Sequence, residues 1–547
     1  MDRPEESNLP LARKRTLEES SDDLPIPSSS KLPRVSEPLV ENVETEDKDR
    51  SPESQHSIRP ADTPETGKKH QESQKRRGKG RKGRVEAPRE PQLDEDGHLI
   101  PKALRYPKRM CALLIGFCGS GYNGMQIQPE GERTKHIKTI EGVLFNALVK
   151  IGAISQDNAD NPTKVGLARA ARTDAGVHAA GNLVSLKMIL TIPGVDDIVA
   201  RVNEELPPEI RLWGYARTQN SFNARTICES RKYTYYFPSY MLIPPRPGAG
   251  FTEKWCANGG DMKILPASSF WHDHILGSKE EDLARKRSWR IGSPQMETLR
   301  TFAGTYEGTH NFHNFTVGRE FKDRSNMRYM KKIQIADPVV HGETEWISVL
   351  FHGQSFMLHQ VRKMMSVLVL GARMGTSIRV LPELFGQRSV FVPKMPALGL
   401  LLEEPLFDSY NQRMTVINEK LKPTDADYRP PIDFEQYRDS IEAFKTRFIH
   451  KTMREVEDRD GLFDAWLRSV DAYSGSDLLY LSPSGAVPDN AVIVKGRQRD
   501  KPFRERRVFD TTSFTAQQEV RQQLEEDEED LEDDSPLNKR QLEETEG

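Results

Sequence analysis

Apolar residues form no pattern over the first hundred positions, where Ser, Pro, Glu, Lys and Arg dominate with almost no aromatic side chains. A stretch of that kind cannot bury enough surface to fold and is expected to be disordered. Hydrophobic patterning begins near Met110. The apolar run over 110–116 ends in Gly119, Gly121 and Gly124, which reads as a strand entering a tight loop. Ile140, Val143, Leu144, Ala147 and Leu148 recur at helical spacing. Short apolar runs predict strands over 183–190, 232–237 and 346–352, and a strand-like piece over 164–167. Helices are predicted over 196–205, over 296–305 and from about Phe356 to Arg373. Because strands and helices alternate without a strict β-α-β period, a mixed α+β fold is expected rather than a doubly wound sheet.

Residues 256–290 are weakly patterned and highly charged, as in an insertion. Further on, Tyr437, Ile441, Phe444 and Phe448 form an amphipathic stripe with Lys445, Arg447, Lys451 and Arg454 interspersed. That helix either docks on the core with ordinary solvated charges or offers phosphate contacts on its polar side. The patterns divide the chain into a disordered tail over 1–105, an N-terminal half over 106–240 and a C-terminal half over 241–410 that holds the insertion. A helical extension over 411–480 and a mostly disordered tail over 481–547 follow. No internal repeat is visible, and no apolar run reaches the roughly 18 residues of a membrane span, so no membrane partner is expected.

Composition sharpens this picture. With 36% hydrophobic and 29% charged residues, the 547-residue chain is too polar to be compact throughout. Its formal net charge of −3 hides a segregation: residues 525–547 carry twelve acidic and two basic side chains, a net charge of −10. Residues 101–410, by contrast, total about +10. A basic core beside an acidic tail suits a polyanionic partner such as nucleic acid. The cluster Lys75, Arg76, Arg77, Lys79, Arg81, Lys82 and Arg84, preceded by Arg13-Lys14-Arg15, reads as a nuclear import address or a nucleic-acid arm. A solvated linker is the plainer alternative; a nuclear location is the expectation. The amino terminus has no apolar stretch of the kind a secretory signal needs. Cys111, Cys118, Cys228 and Cys256 are scattered, as in a reducing compartment.

Several chemistries fail on spacing. The stretch from Gly116 to Gly124 lacks both the Lys-Ser/Thr ending of a phosphate-binding loop and the spacing of a dinucleotide fold. No GxSxG elbow occurs. His272-Asp273-His274 and Cys256 lack the usual spacings of a zinc site and read more plainly as loop residues. The segment from Arg172 to Ala179, RTDAGVHA, differs in placing an acidic residue in a small-residue turn that a large substrate can approach. Taken alone it also fits a structural Asx-turn. In the helix predicted from Phe356, the residues Leu358, Arg362, Met365 and Val369 fall on one face, so Arg362 interrupts an apolar stripe. A guanidinium aimed at a core needs a carboxylate or phosphate partner. Asp174 is one candidate, and the pair would keep that carboxylate ionised.

The RTDAGVHA segment resembles the catalytic loop of the TruA family of tRNA pseudouridine synthases. The other blocks stand in that family's order: the loop over 116–126, then Phe222-Asn223-Ala224-Arg225 running into Arg231-Lys232-Tyr233, then Gly308-Thr309-His310-Asn311-Phe312. Phe356-Met357-Leu358-His359-Gln360-Val361-Arg362 and Pro396-Ala397-Leu398-Gly399-Leu400 complete the set, which spans about 110–408. The forms GTHNFHNFT at 308–316 and GQSFMLHQVRKM at 353–364 are similar to the eukaryotic nuclear branch.

The resemblance implies an α+β pseudouridine synthase fold, two α/β halves with mixed or antiparallel sheets around a central RNA-binding cleft. It implies an isomerase that breaks the N1–C1′ bond of a uridine, turns the uracil in place and forms a C5–C1′ bond. Asp174 would be the catalytic carboxylate. Arg172 would hold the target nucleotide out of its stack, and Tyr233 would pack on the uracil and offer a proton acceptor. Arg362 would pair with Asp174, and Leu400 or its neighbours would form an apolar wall that excludes water. The implied partner is tRNA, with snRNA and mRNA as further candidates. The chemistry calls for no cofactor; a structural zinc is left open by analogy with some eukaryotic relatives, with no ligand set to name. Met125 stands where the bacterial pattern has Trp, and the insertion and C-terminal helix speak against the bacterial dimer, so a monomer is expected. The competing reading is a catalytically silent RNA-binding protein on the same scaffold. It sits poorly with an intact set of Asp174, Arg172, Tyr233 and Arg362.

Overall fold

The computed structural model describes residues 106–128, 137–272 and 277–510. The basic cluster at 75–84, the acidic run at 525–547, Asp273 and His274 lie outside the described residues. Ten strands are present among the described residues: β1 (Lys108–Phe117), β2 (Ala168–Arg169), β3 (His178–Ile189), β4 (Ile210–Arg217), β5 (Ser230–Pro238), β6 (Gly308–Asn311), β7 (Met327–Ile335), β8 (Val339–His341), β9 (Thr344–Gly353) and β10 (Leu400–Leu406). They form one sheet in the order β4-β1-β3-β10-β5-β9-β7-β6, with β2 paired to β3 and β8 to β9. Strands β1 to β4 lie on one side of β10 and β5 to β9 on the other, so the strands of the two halves are joined into a continuous sheet.

The join positions the site. Strand β10 runs parallel to β3, with Leu401 opposite His178, and antiparallel to β5, with Leu402 opposite Tyr233. It therefore brings together the end of the RTDAGVHA segment, Tyr233 and Leu400 from three distant stretches of chain. The central position of β3 leaves it buried on both faces at every residue but Lys187, with His178, Asn182 and Ser185 buried among its apolar residues. Strand β4, at the sheet edge, alternates buried and half-buried residues along its whole length.

The helix Gln360–Arg373 packs over β5 and against the helix Ser293–Gly304. All fourteen of its residues are buried. The apolar stripe visible in the sequence is thus one side of a helix enclosed all round, which is why Arg362 interrupts it without reaching solvent. The helix starts at Gln360 and not at Phe356, because His359 takes a left-handed backbone with φ 60°. Leu358 accordingly lies outside the helical stripe.

Two further expectations are corrected. The strand-like piece at 164–167 is occupied by a 3₁₀ turn, Pro162–Val165, capped by the Asn161 side chain on the amide of Thr163. Pro162 has no N–H to give a ladder, and the cap fixes the turn, so local chemistry overrides the apolar spacing. The disorder expected after residue 480 does not hold for 481–510, where Leu481, Val487, Ala491, Phe503 and Phe509 are buried. The amphipathic stripe at 437–448 docks on the sheet: Phe444 meets Trp213 of β4 edge-on with ring centroids 5.4 Å apart, and Lys445 pairs with Glu403 of β10 at 3.0 Å. The segment expected as an insertion packs as well, with Leu265 and Trp271 buried and Lys286 paired to the buried Asp464 at 2.7 Å.

Candidate active site

Asp174 sits in the loop that leaves β2 and enters β3, and the backbone of that loop is held on every side. The side chain of Asn182 on β3 receives the amide of Ala171 at 3.2 Å and donates to its carbonyl at 3.0 Å. From β5, Arg231 donates to the carbonyl of Ala170 through Nε at 3.1 Å and Nη2 at 2.7 Å. The glycine-bearing loop after β1 grips the opposite edge. The Met125 amide donates to the Thr173 carbonyl at 3.1 Å, and the Gly176 amide donates to the Tyr122 carbonyl at 3.3 Å. A Cβ on Gly119 would fall 2.1 Å from the Val177 carbonyl oxygen, so only glycine lets the two loops approach this closely. Gly176 itself turns the chain at φ 74°, with the Val177 amide closing the turn on the Asp174 carbonyl at 3.2 Å. Burial pushes His178 down to about 3, so its imidazole stays neutral and Nδ1 accepts the Gly119 amide at 3.0 Å.

Two ionisable groups meet Asp174. Oδ2 is 2.9 Å from Nδ1 of His359 and 4.0 Å from Nη1 of Arg362. An ionised carboxylate can only accept, so Nδ1 of His359 carries the hydrogen. Oδ1 of Asp174 takes no hydrogen bond among the described residues. Burial on its own would raise the Asp174 carboxyl; the hydrogen bond and proximity of His359, and then the charge of Arg362, outweigh it and hold the group below the ordinary carboxylate range. The side chain nonetheless remains 30% exposed, enough for a substrate to reach it.

Arg172, Asp174, Tyr233 and Leu400 all line one cavity, together with Phe356 and His359. The sequence-predicted Arg362 does not line it; the guanidinium is buried behind Asp174. Tyr233 packs edge-on against Phe356 with ring centroids 5.0 Å apart, and burial pushes its phenol above the ordinary range, so it is neutral at physiological pH. The floor beneath the cavity is tied to the block at 308–316, because Thr316 Oγ1 donates to the Leu358 carbonyl at 3.0 Å and Lys363 Nζ donates to the Thr316 carbonyl at 3.0 Å. A second, more open cavity of about 490 Å³ is lined by Arg225, Arg231, Arg328 and Ser355, the residue before Phe356.

Two residues of the site escape a sequence reading. His359 lies inside a recognised block, but its left-handed backbone and its hydrogen bond to Asp174 exist only in the fold. Asp510 approaches Arg362 from 148 positions away, with Oδ1 at 2.5 Å from Nη2. Among the described residues no three His, Cys, Asp or Glu side chains are grouped to hold a metal ion.

Comparison with known proteins places this geometry in context. The model of a family described as tRNA pseudouridine synthase matches residues 302–408, which run from the helix Ser293–Gly304 to the end of β10. The chain is 38% identical to tRNA pseudouridine synthase 1 of Candida glabrata over 429 residues, 71% of this chain and 75% of that one. It is 38% identical to tRNA pseudouridine synthase 1 of Saccharomyces cerevisiae over 427 residues, 70% and 75% of the two chains. To tRNA pseudouridine synthase 1 of Schizosaccharomyces pombe it is 35% identical over 479 residues, 69% of this chain and 86% of that one.

Proposed function

The chain belongs to the TruA family of tRNA pseudouridine synthases, and on that premise we propose that it isomerises uridines in tRNA to pseudouridine with Asp174 as the catalytic carboxylate. In this reaction the N1–C1′ bond breaks, the uracil turns, and C5 bonds to C1′. The hydrogen on C5 is lost and N1 gains one, so nothing is oxidised, no water is consumed, and the chemistry calls for no cofactor.

The observation that carries this reading is the state of Asp174. Its carboxylate is kept ionised by His359 and Arg362 while its side chain still opens onto a cavity with an aromatic and an aliphatic wall. On this reading the flipped uracil enters the cavity lined by Tyr233 and Leu400, which brings the sugar and base beside Asp174. Because burial keeps the Tyr233 phenol neutral, its part is to present a ring face and a hydroxyl, and a proton leaving C5 needs another first acceptor. Arg172 sits at the same cavity and is suited to fill the stack vacated by the uridine. Apolar walls keep water from a reactive sugar centre.

The pocket reads one base, while structured RNA is selected by shape, phosphates and 2′-hydroxyls, so uridines of snRNA and mRNA are further substrates on this reading. The basic cluster at 75–84 supports a nuclear location, and a single chain holds all the site residues, which supports a working monomer. Purified protein incubated with tRNA carrying tritium at uridine C5 is expected to release tritium and form pseudouridine. Absence of release from total tRNA of a nuclear fraction would oppose the reading.

A further inference from the structure

Arg231 is buried like Arg362, but no carboxylate answers its charge. It is 3% exposed, and each of its hydrogen bonds goes to a backbone carbonyl: Nε and Nη2 to Ala170, and Nη1 to Gln354 at 3.1 Å. Among the described residues it forms no ion pair. A guanidinium carries five N–H groups, so one hydrogen on each Nη is not spent on these bonds. A buried charge without an opposite charge is costly, and Arg231 lines the more open cavity of about 490 Å³.

The walls of that cavity add positive charge. Arg225 and Arg328 line it beside Arg231, and Glu229 is the one acid among the described residues that do so. Glu229 Oε1 accepts the Ser409 amide, which ties that carboxylate to the start of the helix Asp408–Asn418. The walls are held by bonds that need no ligand. Asn223 caps the amides of Arg225 and Thr226 at 3.0 Å and 3.3 Å, and the Ala224 amide donates to Ser185 of β3 at 3.0 Å. The Gln354 amide donates to the Tyr329 carbonyl at 3.0 Å, next to Arg328 on β7. A fixed group of guanidinium side chains in a polar opening is the chemistry that receives phosphate oxygens.

Its position relates it to the site. Arg231 precedes Tyr233 by two residues on β5, about 6.6 Å along a strand and on the same face. Ser355, at the open cavity, directly precedes Phe356, which lines the cavity that holds Asp174. An RNA strand whose uridine enters the Asp174 cavity therefore brings a neighbouring phosphate within reach of the arginines. Resting on the proposed function, we infer that the open cavity is an anion subsite that takes a backbone phosphate of the substrate RNA beside the flipped uridine. Because Arg231 also grips the Ala170 carbonyl, the phosphate is received by the residue that holds the loop carrying Asp174.

The test compares the full-length protein with the double variant Arg225→Gln, Arg328→Gln, which leaves Arg231 and its grip on the loop in place. The variant is expected to bind tRNA roughly 3- to 10-fold more weakly at low salt, with the slope of log Kd against log salt reduced by about one. Its single-turnover rate at saturating tRNA is expected to stay within about threefold of the parent, as for a lost binding contact. A second measurement needs no variant: in a tRNA whose modified uridine has been mapped, the phosphates around it are replaced one at a time by neutral methylphosphonates. One replacement within about two nucleotides of that uridine is expected to weaken binding by the parent, and the double variant to lose nothing further on that RNA. An unchanged salt slope in a folded double variant, a parent indifferent to every such replacement, or losses that multiply at each position would overturn the inference. A parent protein that shows the salt dependence but makes no pseudouridine would defeat the functional reading instead, so the two failures are distinguishable.

Discussion

His359 offers the sharpest separation of chemistry from folding, because its side chain serves Asp174 while its backbone is strained. A hydrogen bond from His359 to an ionised carboxylate contributes roughly 1.5–3 kcal/mol. If that donor is needed in the transition state, its loss slows the chemical step by roughly 10- to 150-fold. The backbone at φ 60° imposes a different cost: a non-glycine residue in the left-handed region loses about 1–2 kcal/mol, which glycine avoids. Three variants separate the effects. His359→Ala removes the donor and keeps the strain, His359→Gly removes both, and His359→Asn keeps a donor at the δ position in a residue that tolerates the left-handed region. In single-turnover tritium release, Ala and Gly are expected to be equally slow and Asn to retain most of the rate. In thermal melts, Gly is expected to be more stable than Ala. Removing His359 also takes away the main influence that lowers Asp174, so the acid limb of the rate profile is expected to move to higher pH in the Gly variant. A Gly variant with the parent rate and the parent acid limb would refute the assignment of His359 to Asp174.

Other consequences are equally direct. Gly119→Ala drives a methyl group against the Val177 carbonyl and is expected to displace the loop that carries Asp174, with about 1–3 kcal/mol lost in a denaturant melt and a larger loss of activity than of tRNA affinity. Glu457, buried against Tyr240 and the Phe463 amide, is raised by burial to about 7. A carboxyl raised in the folded state binds its proton more tightly than in the unfolded chain, so stability falls as pH climbs from the ordinary Glu value through about 7 and levels off above it. The melting temperature is therefore expected to be lower at pH 8 than at pH 5.5, and Glu457→Gln should flatten that difference; an unchanged slope would refute it. Removing residues after Gln523 takes away a run with a net charge of −10 and is expected to tighten tRNA binding at low salt with little effect at high salt. No change at low salt would count against competition between the tail and RNA.

The parts of this structure that are legible in the sequence are those set by local pattern. Apolar runs mark β1, β3, β5 and β9, because each is a short buried segment, and the RTDAGVHA segment marks the loop that carries Asp174. Arg362 stands out because a charge in an apolar stripe calls for a partner. The identity of that partner is a matter of tertiary packing. Asp174 lies within reach, but Asp510 is closer, and it lies in a stretch whose charge and proline content conceal the anchors Phe503 and Phe509. The insertion of β10 between β3 and β5 is equally invisible, since it depends on pairing across more than 150 residues. His359 escapes because its contribution depends on a backbone conformation that no periodicity encodes.

The role of Asp174 can be tested by one measurement on one variant. In Asp174→Asn, the side chain keeps its volume and can still meet His359 through its amide oxygen, while the ionisable carboxylate is gone. Pseudouridine in a bound tRNA substrate, measured in a single turnover, is expected to fall to background with the dissociation constant for that tRNA within a few fold of the parent. Pseudouridine formation at or near the parent rate would contradict the assignment of Asp174 as the catalytic group.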